Sequence, residues 1–324
     1  MDPAGSQPVS RTDSESLIAA LEHGAVAGDP LGRAGVFGPD SASWKINRES
    51  ALFLGAGRAA LLQLAHPWVA TALDQHSNVM ERPVARFHST FRIVFTMIFG
   101  SVAQATAAAR HLYEVHTYIQ GEMAADVSRW RRGSHYQANE VAALRWVFAT
   151  LIESAVLAYE TVLPPLTPAE LGAYYADSVR LAGLFGIPPG ALPGDWESFL
   201  IYCRGMEESD ELGVTDSARR MAHDLLRGAN AWIKPPRWYR ALTTGWLPGR
   251  FRSEFQLPFG AEEERAVAAA RARLPRYYRR LPRRVRFVGP WQEAQARIGD
   301  RGTGFVARLS NRFWIGEPAM PFAS

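Results

Sequence analysis

The chain has 324 residues, of which 47% are hydrophobic, and a formal net charge of +4. That length can enclose a sizeable pocket within one core plus appended helices, and no uninterrupted run of about 20 apolar residues is read that would span a bilayer. Cys203 is the sole cysteine, which excludes an intrachain disulfide and a cysteine-ligated zinc or iron–sulfur centre.

Residues 1–43 read as a lead-in with one predicted helix over 14–27. Residues 1–16 lack the basic-then-apolar order of a secretory signal, so a cytoplasmic location is expected. From residue 44 to 298 the pattern is helical nearly throughout, and 299–324 form a C-terminal tail. Within 49–73 the apolar positions keep helical spacing, but Pro67 after His66 predicts a corner between two helices. Residues 84–99 form the next apolar helix, stopped by Gly100. Ser101 then reads as the N-cap of a helix ending at Gly121.

On that helix Val102, Ala105, Ala109, Leu112, His116 and Ile119 recur three and four residues apart and share one face, so His116 points into the core. Such a histidine is either a core residue satisfied by a hydrogen bond or a ligand. A haem iron needs a neutral imidazole on a rigid helix, apolar walls, and cationic or hydroxyl groups near its propionates and open face. Arg86 and Thr90, four apart on the preceding helix, are the residue types that meet the second need.

A long apolar helix is predicted over 139–163, with Trp146, Thr150, Ser154 and Leu157 on one face. The Ser154 hydroxyl is expected to bond its own helix, Glu153 and Glu160 to be capping or solvent-facing charges, and Tyr159 to be core. Pro164-Pro165 ends this helix, and Thr167-Pro168-Ala169-Glu170 carries both the cap and the first-turn proline of the next. Further helices are predicted over 196–206, 215–226 and 262–274. Few stretches alternate with period two, so no sheet is expected.

Three other patterns bear on function. Gly55-Ala56-Gly57-Arg58-Ala59-Ala60 formally matches a dinucleotide-binding loop, but it lacks the preceding strand and the strand–helix alternation that loop requires. Its glycines instead read as points of close helix approach. His66, His76 and His116 show no His-x-x-x-His spacing, so a non-haem metal site is not expected. His66 and His76 read as helix-end residues, and His88, His111, His135 and His223 as surface. The segment Arg271 to Arg286 alternates arginines with aromatic and aliphatic residues. It reads as a solvated basic face or as a peripheral contact with anionic lipid. No nucleic-acid-binding motif accompanies it. A nucleophile elbow and a phosphate-binding loop are absent from the sequence, which argues against hydrolase and kinase chemistry.

The run from Leu54 to Ala70, Leu-Gly-Ala-Gly-Arg-Ala-Ala-Leu-Leu-Gln-Leu-Ala-His-Pro-Trp-Val-Ala, with Asp74-Gln75-His76-Ser77, resembles the rubber oxygenase and MpaB-type oxygenase superfamily, of which latex-clearing protein is a branch. The resemblance continues through Arg86 and Thr90, Phe99-Gly100, His116 and Gly121, Trp146 to Leu151, Ala158-Tyr159-Glu160, Leu257-Pro258-Phe259 and Leu281-Pro282-Arg283. It implies an all-α fold, a single globin-like helical core with extra helices at both ends, holding haem b. It implies His116 as the iron ligand, Arg86 and Thr90 beside the other haem face, and Thr150 as a further pocket residue. It also implies dioxygen and a small apolar substrate of isoprenoid or lipid-like character. Two positions depart from the family pattern: Ser89 stands where rubber-cleaving members have a lysine, and Phe148 where many relatives have a histidine. A haem-binding or haem-sensing protein without turnover is the alternative reading.

Overall fold

The computed structural model describes residues 7–23, 29, 32–77, 83–229 and 234–322. It is all-α, with one small hairpin of strands. The N-terminal helices are α1 (Arg11–His23) and α2 (Ala42–Asn47), followed by a 3-10 turn (Ser50–Leu54), α3 (Ala56–Leu64) and α4 (Pro67–His76). The far end of the predicted first helix, at 24–27, lies outside the described residues. Two longer helices, α5 (Pro83–Phe99) and α6 (Val102–Thr117), precede strands β1 (Gln120–Glu122) and β2 (His135–Gln137).

The central helix is α7 (Val141–Val162), followed by α8 (Pro168–Leu184), α9 (Trp196–Glu208) and α10 (Asp216–Arg227). The C-terminal part holds α11 (Arg237–Gly245), α12 (Gly249–Glu254), α13 (Ala261–Tyr278), α14 (Arg283–Arg286), α15 (Gly289–Ile298) and α16 (Phe305–Ile315).

Local chemistry explains the starts of α6 and α8. The Ser101 hydroxyl accepts from the Gln104 amide while the Gln104 side chain accepts from the Ser101 amide. Thr167 and Glu170 form the same reciprocal box ahead of Pro168. Each box satisfies two amides that a helix start otherwise leaves without partners.

The core is built on α7. Fourteen of its residues are buried, so it is apolar nearly all round, as a helix must be when neighbours cover it on several sides. By length and composition α7 is apolar enough to cross a membrane, contrary to the expectation from the sequence. In this structure 61% of its most apolar window is buried inside protein. Helix α3 crosses α7 at very short range. A Cβ on Gly55 would stand 2.4 Å from the Ser154 carbonyl oxygen, which leaves room only for glycine. The Trp146 indole N–H then donates to the Leu62 carbonyl at 2.9 Å.

Two predicted features are corrected. Helix α6 ends at Thr117, and Gly121 lies inside β1, which pairs antiparallel with β2 in the register Gln120↔Gln137, Gly121↔Tyr136, Glu122↔His135. A sheet was not expected because three-residue strands are too short to show an alternation. Second, Arg286 is no solvated cation. It makes two charge-assisted bonds, of 2.6 and 2.7 Å, to Glu49, whose side chain is only 2% exposed and also accepts from the Tyr278 hydroxyl at 2.8 Å. This buried triad ties the start of the helical core to its C-terminal part.

Candidate functional site

The α5–α6 hairpin places Arg86 and His116 at the same level by arithmetic. Arg86 lies 13 residues before Phe99, the end of α5, and His116 lies 14 residues after Val102, the start of α6. At 1.5 Å per residue both stand about 20 Å from the turn. The turn itself is held by the Ser101 cap and by Gly35, whose φ of +73° lets its backbone reach Gly100; a Cβ there would lie 2.3 Å from the Gly100 carbonyl oxygen.

The two side chains sense each other. Burial, and after it the Arg86 guanidinium, together lower the His116 imidazole to about 4. Arg86 is itself lowered by desolvation. Yet Arg86 keeps an exposed surface and His116 is only half-buried. Both side chains therefore keep solvent-accessible surface while the surrounding protein desolvates their charged forms. The His116 ring makes no protein hydrogen bond among the described residues. It is therefore a neutral imidazole with its nitrogen lone pair unused at physiological pH.

The other expected residues are placed differently. Thr90 is half-buried and its hydroxyl donates to the Arg86 carbonyl at 3.1 Å, bonding back along α5. Thr150 is 1% exposed; its hydroxyl accepts from the Gln63 amide at 3.0 Å and donates to the Val147 carbonyl at 2.7 Å. The first bond joins α3 to α7 and the second lies within α7, and no bond joins Thr150 to His116 or Arg86. Ser89 is exposed. Phe148 is buried, its ring 5.4 Å from that of Phe185.

Among the described residues no three His, Cys, Asp or Glu side chains converge on a point that would hold a metal ion. A metal at His116 would have to bring most of its ligands with it, as iron in a macrocycle does. The donor set thus fits a haem better than a bare ion. The open surface depressions of about 550 and 460 Å³, lined by Gly249 to Phe259 and by Ala272 to Arg280, lie on other elements and hold none of these groups.

Two buried groups carried no clear sequence signal. Arg58, 5% exposed, pairs with Glu153 at 2.8 Å and Glu207 at 3.2 Å and donates to the Ser154 hydroxyl at 3.1 Å. Ser154 and Glu153 therefore serve this network, not their own helix or solvent as expected. Desolvation, reinforced by Glu153, raises Glu207 to about 7 despite the arginine. His66 is 2% exposed, with its Nδ1 unpartnered and its ring beside Trp130, and desolvation followed by the charge of Arg129 lowers it to about 4. It occupies the N-cap position of α4 but does not cap it. His76, in contrast, bonds the Tyr136 hydroxyl at 3.1 Å.

In this all-α protein the His116 imidazole makes no hydrogen bond among the described residues, and a cation on the neighbouring helix lowers its affinity for a proton. The chain belongs to the family described as ER-bound oxygenase mpaB/B′/Rubber oxygenase, catalytic domain, which matches residues 44–287. It is similar to an uncharacterized protein of Mycobacterium bovis and to one of Mycobacterium tuberculosis. Each is 25% identical over 217 residues, covering 63% of this chain and 80% of the relative. No solved structure matches it. Membership in an oxygenase family supports an oxygenase-like function.

Proposed function

We propose that the protein is a haem b-dependent oxygenase in which His116 ligates the iron and a small apolar, isoprenoid or lipid-like substrate is oxidised with dioxygen. The observation that carries this reading is the His116 imidazole: half-buried, neutral, and without a hydrogen-bond partner among the described residues. When bound, haem supplies the one-electron and dioxygen chemistry that amino-acid side chains lack. The protein's own contribution is electrostatic. Desolvation, aided by Arg86, keeps His116 unprotonated, so that its lone pair is free for a metal, and Arg86 offers a guanidinium to an anionic group such as a propionate. Thr90, one turn further along the same helix, borders that space; Thr150 acts from behind, by holding α3 against α7. We place the reaction in the cytoplasm.

The test is an absorption spectrum of the purified protein with added haemin, beside His116→Ala. The wild type is expected to show a Soret band shifted from that of free haemin, and the variant to lose it or bind much more weakly. Normal ligation in the variant, or no uptake by the wild type, overturns the assignment.

A second reading, haem binding or sensing without turnover, is favoured by Phe148 and Ser89. The Phe148 ring is spent on packing against Phe185, and a serine at 89 does not reach as a lysine amine does. Oxygen consumption by the haem-loaded protein with apolar alkenes separates the two: binding without consumption favours the second.

A further inference from the structure

Helix α16 is amphipathic with its apolar side turned outward. Its inner face is satisfied: Ala307, Asn311 and Ile315, at four-residue spacing, are buried. Asn311 donates to the buried Glu293 carboxylate at 2.6 Å, and the Trp314 ring stacks on Phe53 at 3.8 Å. Through His88, which bonds the Phe313 carbonyl at 3.0 Å, the helix is also anchored to α5. The outer face should therefore be polar. Instead Phe305 is 79% exposed, Leu309 57% and Val306 41%. A phenylalanine and a leucine one turn apart and this open to water form a patch that soluble surfaces seldom carry without an occupant.

The charge around this patch has one sign. Arg308 and Arg312 flank it on α16, and both are exposed. Helix α14, which packs against α16, adds exposed Arg283, Arg284 and Val285. None of these four arginines makes an ion pair among the described residues. Residues 283–324 contain seven arginines against three carboxylates, and those carboxylates are engaged: Glu293 inside the fold, Asp300 with Arg33, and Glu317 with Arg92. Exposed apolar side chains edged by long cations that reach past them are the arrangement that settles into the headgroup boundary of an anionic bilayer.

We infer that the outer face of α16, with the adjoining α14, docks this protein on the surface of a membrane containing anionic phospholipid. Phe305, Val306 and Leu309 enter the headgroup–acyl boundary, while Arg283, Arg284, Arg308 and Arg312 contact lipid phosphates. This relocates the lipid contact expected from the segment Arg271 to Arg286. Arg286 is committed to Glu49, and the apolar component resides mainly on α16. The inference does not depend on a cofactor. A partner protein of neutral or basic surface would not explain the arginines, and a second copy would bring four like charges together.

The test is co-sedimentation of the full chain with vesicles of phosphatidylcholine alone and of phosphatidylcholine mixed with phosphatidylglycerol, at low and high salt. Three proteins are compared: wild type, Phe305→Ser with Leu309→Ser, and Arg308→Gln with Arg312→Gln. Wild type is expected to bind the mixed vesicles and to release at high salt. The serine variant is expected to lose tenfold or more in partitioning, and the glutamine variant about fivefold per arginine removed. These are surface substitutions, so far-ultraviolet dichroism should be unchanged. Absence of wild-type binding, equal binding to uncharged vesicles, or binding unaffected by the serine pair overturns the inference. So does light scattering that gives a wild-type dimer and a monomer for the serine pair, since a second copy then occupies the face.

Discussion

The Arg86 guanidinium on α5 depresses the affinity of the His116 imidazole on α6 for a proton. Two like-signed groups in desolvated surroundings cannot both be charged cheaply, so the weaker base stays neutral. In Arg86→Leu the imidazole should become more basic, rising from about 4. It should remain below the ordinary value because desolvation, the larger cause, stays. Titration of the His116 ring protons by NMR in the haem-free protein reads this directly, and an unmoved titration would show that the two side chains do not interact.

The two buried histidines should each cost stability in acid over a defined window. His66 and His116 both bind protons at about 4 in the folded chain against 6.5 when unfolded. As pH falls from 6.5 towards 4 the unfolded state takes up protons that the folded state refuses, so stability declines and then levels off. Glu207, raised from 4.5 to about 7, acts in the opposite sense and favours the folded state as pH falls through that range. Glu140, Asp177, Glu211 and Glu293 are raised as well and act in the same sense as Glu207. His66→Gln should flatten the slope by up to about 1.4 kcal/mol per pH unit, and Glu207→Gln should steepen it. Urea midpoints at several pH values give both slopes.

Arg58 neutralises two carboxylates inside the protein. Arg58→Met leaves Glu153 and Glu207 facing each other, at an expected cost of about 3–5 kcal/mol. Adding Glu153→Gln and Glu207→Gln to the same chain should recover much of that loss, because no unpaired buried charge then remains. Chemical denaturation of the single and triple variants measures the difference. A triple variant no more stable than the single one would mean that packing, not charge, holds this junction.

Glycines 55 and 172 offer a paired test of close helix approach. Gly55→Ala puts a methyl 2.4 Å from the Ser154 carbonyl oxygen, and α3 must back away from α7 at about 1–3 kcal/mol. Gly172 is exposed within α8, with nothing within 4 Å of the added carbon. Gly172→Ala should stabilise by about 0.5–1 kcal/mol. Opposite shifts in the melting temperature are expected.

The hairpin, its turn at Gly100 and Ser101, the corner at His66-Pro67 and the start of α8 were legible in the sequence, because caps, prolines and apolar periodicity act within a few residues. Those same signals put Arg86 and His116 at similar distances from the turn between their helices. The end of α6 was not legible: it depends on β2, whose pairing partners lie 13 to 17 residues further along the chain. Nor was the role of Arg58, whose carboxylate Glu207 stands 149 residues away, or of Thr150, which faces Gln63 from 87 residues off. Sequence alone settled where imidazole and guanidinium sit on their helices. Only the folded chain decided that one hydroxyl is consumed in packing, that a second arginine is buried between two carboxylates, and that α16 turns its phenylalanine outward. Those outcomes depend on which helices are brought together, and no local spacing encodes that.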